Sequence, residues 1–137
     1  MEFPPRRTGF IYVIFWVANE KATPFYVGET DRLSARMQDY IQASFKASTD
    51  FKVGEAIKYL QQRNYSIAVK CKPAGPNKVD RMDEEREVVR RLHIEGFQLL
   101  NDLRGYNYRT ANEEKERIAI QMFCENLVAV RRAASAE

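Results

Sequence analysis

A carboxylate stands in this sequence where an apolar side chain is expected. Val79, Met82, Val89 and Leu92 recur at spacings of three and four, so they share one face of a helix. Glu85 falls inside that stripe, three residues after Met82 and four before Val89, while Glu84 and Glu87 turn to the opposite side. A carboxylate on such a face needs a cation, a metal or hydrogen-bond donors to offset its desolvation. An edge position or a structural salt bridge would also satisfy it. A second helix repeats the pattern: Arg36 lies on the side of Leu33, Met37 and Tyr40, where its stem can pack while its head reaches water. An inward glutamate and an inward arginine, on two helices beside one hairpin, describe a polar site cut into an apolar wall, and such charges cluster at functional sites. The hairpin adds Tyr12 and Tyr26. Gly28, two residues on from Tyr26, leaves room for a close approach. Together these side chains offer an oxygen for a cation, a fixed positive charge and two hydroxyls.

The elements that must position them follow from periodicity. Residues 10–17 are β-branched and aromatic and read as a strand buried on both faces. Ala18 to Pro24 is polar, ends in proline and reads as a loop, with a short second strand at 25–29 completing an antiparallel hairpin. Thr30 or Asp31 caps a helix over 31–43, and a further helix over 51–63 buries Phe51, Ile57 and Leu60. The alternation at 65–72 predicts a third strand, and Pro73 to Asn77 a turn. A helix follows over 79–95, with Gly96 at its C-terminal cap. Residues 97–109 form a loop, and the capping-box spacing of Thr110 and Glu113 opens a last helix to about residue 132, amphipathic at Ile118, Met122 and Leu127. The order β-β-α-α-β-α-α implies an α+β fold, a small three-stranded antiparallel sheet flanked by helices.

Composition bounds the function. The 137 residues suit one domain, with residues 1–8 a tail. An apolar fraction of 45%, with eight Phe, seven Tyr and one Trp, is ample for a core. A net charge of +3 permits nucleic acid without implying it. Cys71 and Cys124 lie far apart, which fits a reducing cytoplasm better than a disulfide scaffold or a cysteine zinc site. No apolar run approaches the ~20 residues of a membrane helix, and the basic N-terminus lacks the apolar stretch of a secretory signal.

Phe10-Ile11-Tyr12 followed by Tyr26-Val27-Gly28 resembles the two tripeptides that name the GIY-YIG nucleases. Arg36, ten residues after Tyr26, falls where that family carries its helix arginine, and Tyr40 takes the place of its His or Tyr. Glu85-Arg86-Glu87-Val88-Val89 resembles the family's metal-binding helix, and Asn101 the asparagine that follows it. The resemblance spans about residues 9–101 and implies a nuclease-like domain over 9–109, with 110–137 a helical extension packed on it or on a second copy. Phe10 departs from the usual glycine, Tyr40 from the commoner His, and the stretch from Tyr40 to the third strand holds an extra helix.

The resemblance implies a divalent-metal-dependent endonuclease that hydrolyses phosphodiester bonds, with DNA favoured over RNA. Glu85 would bind Mg²⁺ or Mn²⁺, hard ions that keep much of their hydration. Arg36 would grip a phosphate oxygen with its fork. Tyr12 would act as general base and Tyr26 would place the water or the phosphate; a free phenol, with a pKa near ~10, is a poor base unless a metal and Arg36 stand close. A metal-bound hydroxide is the competing base. Tyr40 would join this network, and Asn101 would order the metal helix or the loop. Arg104, Tyr106, Tyr108 and Arg109 interleave base and ring, a pattern suited to phosphate contact with base stacking or to a solvated loop. His93, the one histidine, reads as a packed or rim residue rather than a ligand. The alternative is a non-cleaving module of the same fold that binds nucleic acid or a partner. Either a monomer or a homodimer is compatible with the sequence.

Overall fold

The computed structural model describes residues 8–42, 48–103 and 113–136. Its elements are β1 (Gly9–Ala18), β2 (Lys21–Thr30), α1 (Leu33–Gln42), α2 (Ser48–Gln62), β3 (Ser66–Ala74), α3 (Lys78–Ile94), a 3-10 turn (Leu100–Asp102) and α4 (Glu113–Ala136). The expected α+β class and element order hold. The three strands form an antiparallel sheet in the order β2-β1-β3, with β1 in the centre.

The hairpin is tighter than its sequence suggests. Ala18 pairs with Lys21, so the connection is Asn19-Glu20 alone, both left-handed with φ of 51° and 65°. That is the primed turn whose twist matches a hairpin. The expected loop to Pro24 is therefore mostly strand. Pro24 faces Phe15, where the register shifts between Ile14 and Phe15. On an edge strand its missing N–H breaks no ladder bond that β1 needs.

Alternate residues of β1 feed two cores. Tyr12, Ile14 and Trp16 join Phe25, Tyr26, the buried side of α2 and the α4 residues Ile120, Cys124, Leu127 and Val128. Leu33 and Met37 of α1 pack on the same cluster. Ile11 points the other way, to Val27 and Leu99, under Val88, Val89 and Leu92 of α3. β1 is thus covered on both sides, over Tyr12, Ile14 and Trp16 on the first and partly on the second. α4 belongs to the main core through one of the three residues expected, Leu127, which is buried, whereas Ile118 and Met122 are exposed. The amphipathic face is real and is rotated by part of a turn. Cys71 is exposed and Cys124 buried, both free. No helix of the described residues is long and apolar enough to cross a membrane.

Asn77 caps α3, its Oδ1 accepting from the amides of Val79 at 2.8 Å and Asp80 at 3.3 Å. Gly96, with φ of 93°, ends it: Phe97 N–H donates to Leu92 O and Gly96 N–H to His93 O. The two caps fix the span on which Glu85 is carried.

Candidate active site

Tyr12 and Gly28 are cross-strand partners. The phenol of Tyr12 lies over Gly28 so closely that a Cβ there would fall on its Cζ and Oη. Only glycine leaves that space. Tyr26 is on the same face two residues earlier, its ring centroid 6.3 Å from that of Tyr12 and tilted by 45°. Both rings are deeply buried, at 1% and 7% exposure.

Asn101 locks this strand from outside. Its Oδ1 accepts from Val27 N–H at 2.9 Å and its Nδ2 donates to Val27 O at 2.7 Å. Val27 sits between Tyr26 and Gly28 on an edge strand, so the amide supplies the pair of bonds that a neighbouring strand would give. Asn101 thereby holds the middle of β2.

Glu85 approaches from the other side. α3 packs against the face of Ile11 and Val27, opposite that of Tyr12 and Tyr26. The apolar stripe that singled out Glu85 is only half buried: Val79 and Met82 are 65% and 38% exposed, while Val89 and Leu92 pack inward. Glu85 nevertheless lies in a protected place. Burial, and then the neighbouring Glu29 carboxylate, push its pKa up to about 7, against the pull of Arg86 and Lys52. It lines a groove of about 620 Å³ with Val89, His93, Asn101 and Asp102.

The expected single wall is therefore two half-sites on opposite faces of β2, joined at the strand's outer edge by Asn101. Arg36 is half-buried in the second turn of α1, on the helix whose Leu33 and Met37 pack on the Tyr12 side. Thr30 Oγ1 accepts from Arg32 N–H at 2.9 Å just before that helix. The side chain of Tyr40, and Arg104, Tyr106, Tyr108 and Arg109, lie outside the described residues. His93 is a rim residue as expected, its Nε2 2.9 Å from Asp102 Oδ2.

Three residues of the site escaped the sequence reading. Arg81, only 4% exposed, donates from Nε to Glu29 at 2.8 Å and from Nη1 to Pro76 O at 2.6 Å and Gly75 O at 3.2 Å. It ties α3, one turn before Glu85, to the end of β2. A Cβ on Gly9 would strike its side chain, so Gly9 makes its room. Glu29, its partner, follows Gly28 directly. Lys52 of α2 donates to Leu100 O at 3.2 Å and Leu103 O at 3.1 Å. Burial holds its ammonium below the ordinary lysine value, against the charges of Asp102 and Glu85. The spacing of Arg81 one turn before Glu85 was the available signal. Lys52 left none, since it reaches the site from a distant helix.

Among the described residues no three His, Cys, Asp or Glu side chains gather to hold a metal. A hard divalent ion fits a site of one carboxylate when water and substrate oxygens complete its shell. The crowding of Glu85 by Glu29 is the kind of electrostatic excess that such an ion relieves. Comparison with protein-family models, with curated proteins and with solved structures gave no match to this chain.

Proposed function

We propose that this protein is a divalent-metal-dependent endonuclease of the GIY-YIG type that hydrolyses phosphodiester bonds, in DNA by preference. The observation that carries the reading is the interlock at β2: Tyr12 over Gly28, Tyr26 beside it, and Asn101 clamping Val27 between them. These contacts give a physical reason for the residues on which the family resemblance rests.

In the proposed reaction a water oxygen bonds to phosphorus, the bond from phosphorus to the leaving oxygen breaks, and the leaving oxygen takes a proton from solvent water. Tyr12, ionised beforehand, would accept one proton of the attacking water, and Tyr26 would orient that water. Arg36 holds a non-bridging phosphate oxygen and neutralises charge that grows in the transition state. Glu85 would hold Mg²⁺ or Mn²⁺, with water and substrate oxygens completing the shell. The ion, when bound, supplies Lewis-acid stabilisation at the phosphate. Lys52 and Arg81 position Glu85 by fixing the 3-10 turn and the start of α3.

The test is cleavage of single- and double-stranded DNA and RNA with Mg²⁺, Mn²⁺ or EDTA, by wild type and by Glu85→Gln. Metal-dependent cutting that falls at least about a hundredfold in the variant is expected. Cutting that persists in Glu85→Gln, or in EDTA, sinks the reading. The deep burial of Tyr12 favours a second reading, a non-cleaving nucleic-acid-binding or partner-binding module. Binding without cutting by a folded wild type would select it.

A further inference from the structure

Phe10 occupies the position where the resembled family has glycine, and what it does there is visible. It is two residues before Tyr12 on β1 and on the same face, about 7 Å away along the strand. It opens onto a depression of about 870 Å³ between the start of β1 and α1. Phe10, Leu33 and Met37 give this depression apolar walls, and Asp31, Arg32 and Gln38 stand around it. Leu33 and Met37 also pack on the main core, so the floor is continuous with it.

An apolar, partly aromatic floor with polar groups at its margin suits a flat organic ring. Arg32 and Gln38 can donate, and Asp31 and Gln38 can accept, as the edge of a nucleobase requires. The site adjoins Tyr12 on the face of β1 and lies on the helix that carries Arg36. The distance from Phe10 to Tyr12 is on the scale of one nucleotide step. We infer that this depression is a nucleobase subsite: the base next to the scissile phosphate leaves its stack and lies against Phe10. A base inside a duplex cannot do so without being extruded, so the substrate is a single-stranded or splayed stretch. This rests on the nuclease reading for the position of the cut, though base binding itself does not.

Two measurements test it. Single-stranded DNA oligonucleotides carrying 2-aminopurine at successive positions are bound to wild type in EDTA. Release from the base stack onto Phe10 predicts a fluorescence change that is strongest at one position, retained in Phe10→Tyr and lost in Phe10→Leu, which keeps an apolar side chain and hence the fold. A change equal at all positions, unaltered in Phe10→Leu, or absent because nothing binds overturns the subsite. In cleavage, Phe10→Leu should raise KM by about tenfold with kcat within about twofold, the size expected for one stacked base. An abasic residue at the responding position should cost wild type the same factor and cost Phe10→Leu nothing more. Equal losses in both proteins overturn the subsite. A wild type that cuts nothing refutes the nuclease reading, while the fluorescence still decides the subsite.

Discussion

The two faces of β2 solve different problems. On the Tyr12 side the functional groups are buried, ring against ring, with one glycine giving the clearance. On the Glu85 side they are charged, half-open and held by ion pairs and carbonyl contacts. The first half-site is defined by shape and tolerates no added atom. The second is defined by charge and tolerates change of shape better than loss of a partner. Both depend on one edge strand, and Asn101 is where they meet.

Substitutions can separate the halves. Gly28→Ala attacks shape alone. It should displace the Tyr12 ring, slow cutting about a hundredfold and cost about 2 kcal/mol in urea unfolding. Mn²⁺ binding at Glu85, followed by paramagnetic broadening, should survive. Loss of metal binding in Gly28→Ala would show that the faces are not separable. Arg81→Met attacks charge. It strands Glu29 beside Glu85 and should cost about 3 kcal/mol, part of which returns when Glu29→Gln is added. An additive double variant would mean that the pair acts only through packing. Asn101→Ala should hurt both halves together, at about 2 kcal/mol for two half-buried backbone groups left without partners.

The charged half should also respond to pH. Glu85 has a folded pKa of about 7 against an ordinary value of 4.5, so the folded state binds its proton more tightly than the unfolded chain does. That contribution to stability is complete below 4.5, declines as pH rises, and is gone above about 7. Metal-free protein should therefore lose stability across this window, and Glu85→Gln should not. Mg²⁺ needs the carboxylate form, so its apparent affinity should fall about tenfold per pH unit below about 7. Titration calorimetry at pH 6 and pH 8 checks this. The smallest change lies far from both halves. Glu20→Gly relieves a left-handed residue in the hairpin turn and should stabilise the fold by about 1 kcal/mol, leaving both half-sites untouched.

The strands and helices were legible because periodicity and caps are local. The hairpin turn was not, because Asn19-Glu20 lacks the expected glycine and Pro24 reads as a breaker until its edge position is known. The site was legible as residue types and spacing: Tyr12, Gly28 and Asn101 interlock, and Glu85 is in a protected place. The sequence did not reveal that Glu85 and Tyr12 approach from opposite faces. Its stripe includes Val79 and Met82, which α3 leaves exposed, and Glu85 owes its raised pKa to burial and to Glu29 on another element. Arg81 looks, in a helix full of arginines, like any solvated charge.

The amide of Asn101 also acts as a chain stopper. It occupies the outward N–H and C=O of Val27, so β2 cannot accept another strand across its middle. The opposite border, β3, has an exposed outer strand and no such plug among the described residues. Growth of this sheet by strand addition is thus one-sided. Two copies could join border to border, but a third would find only stoppered ends, so a fibril cannot propagate by that route.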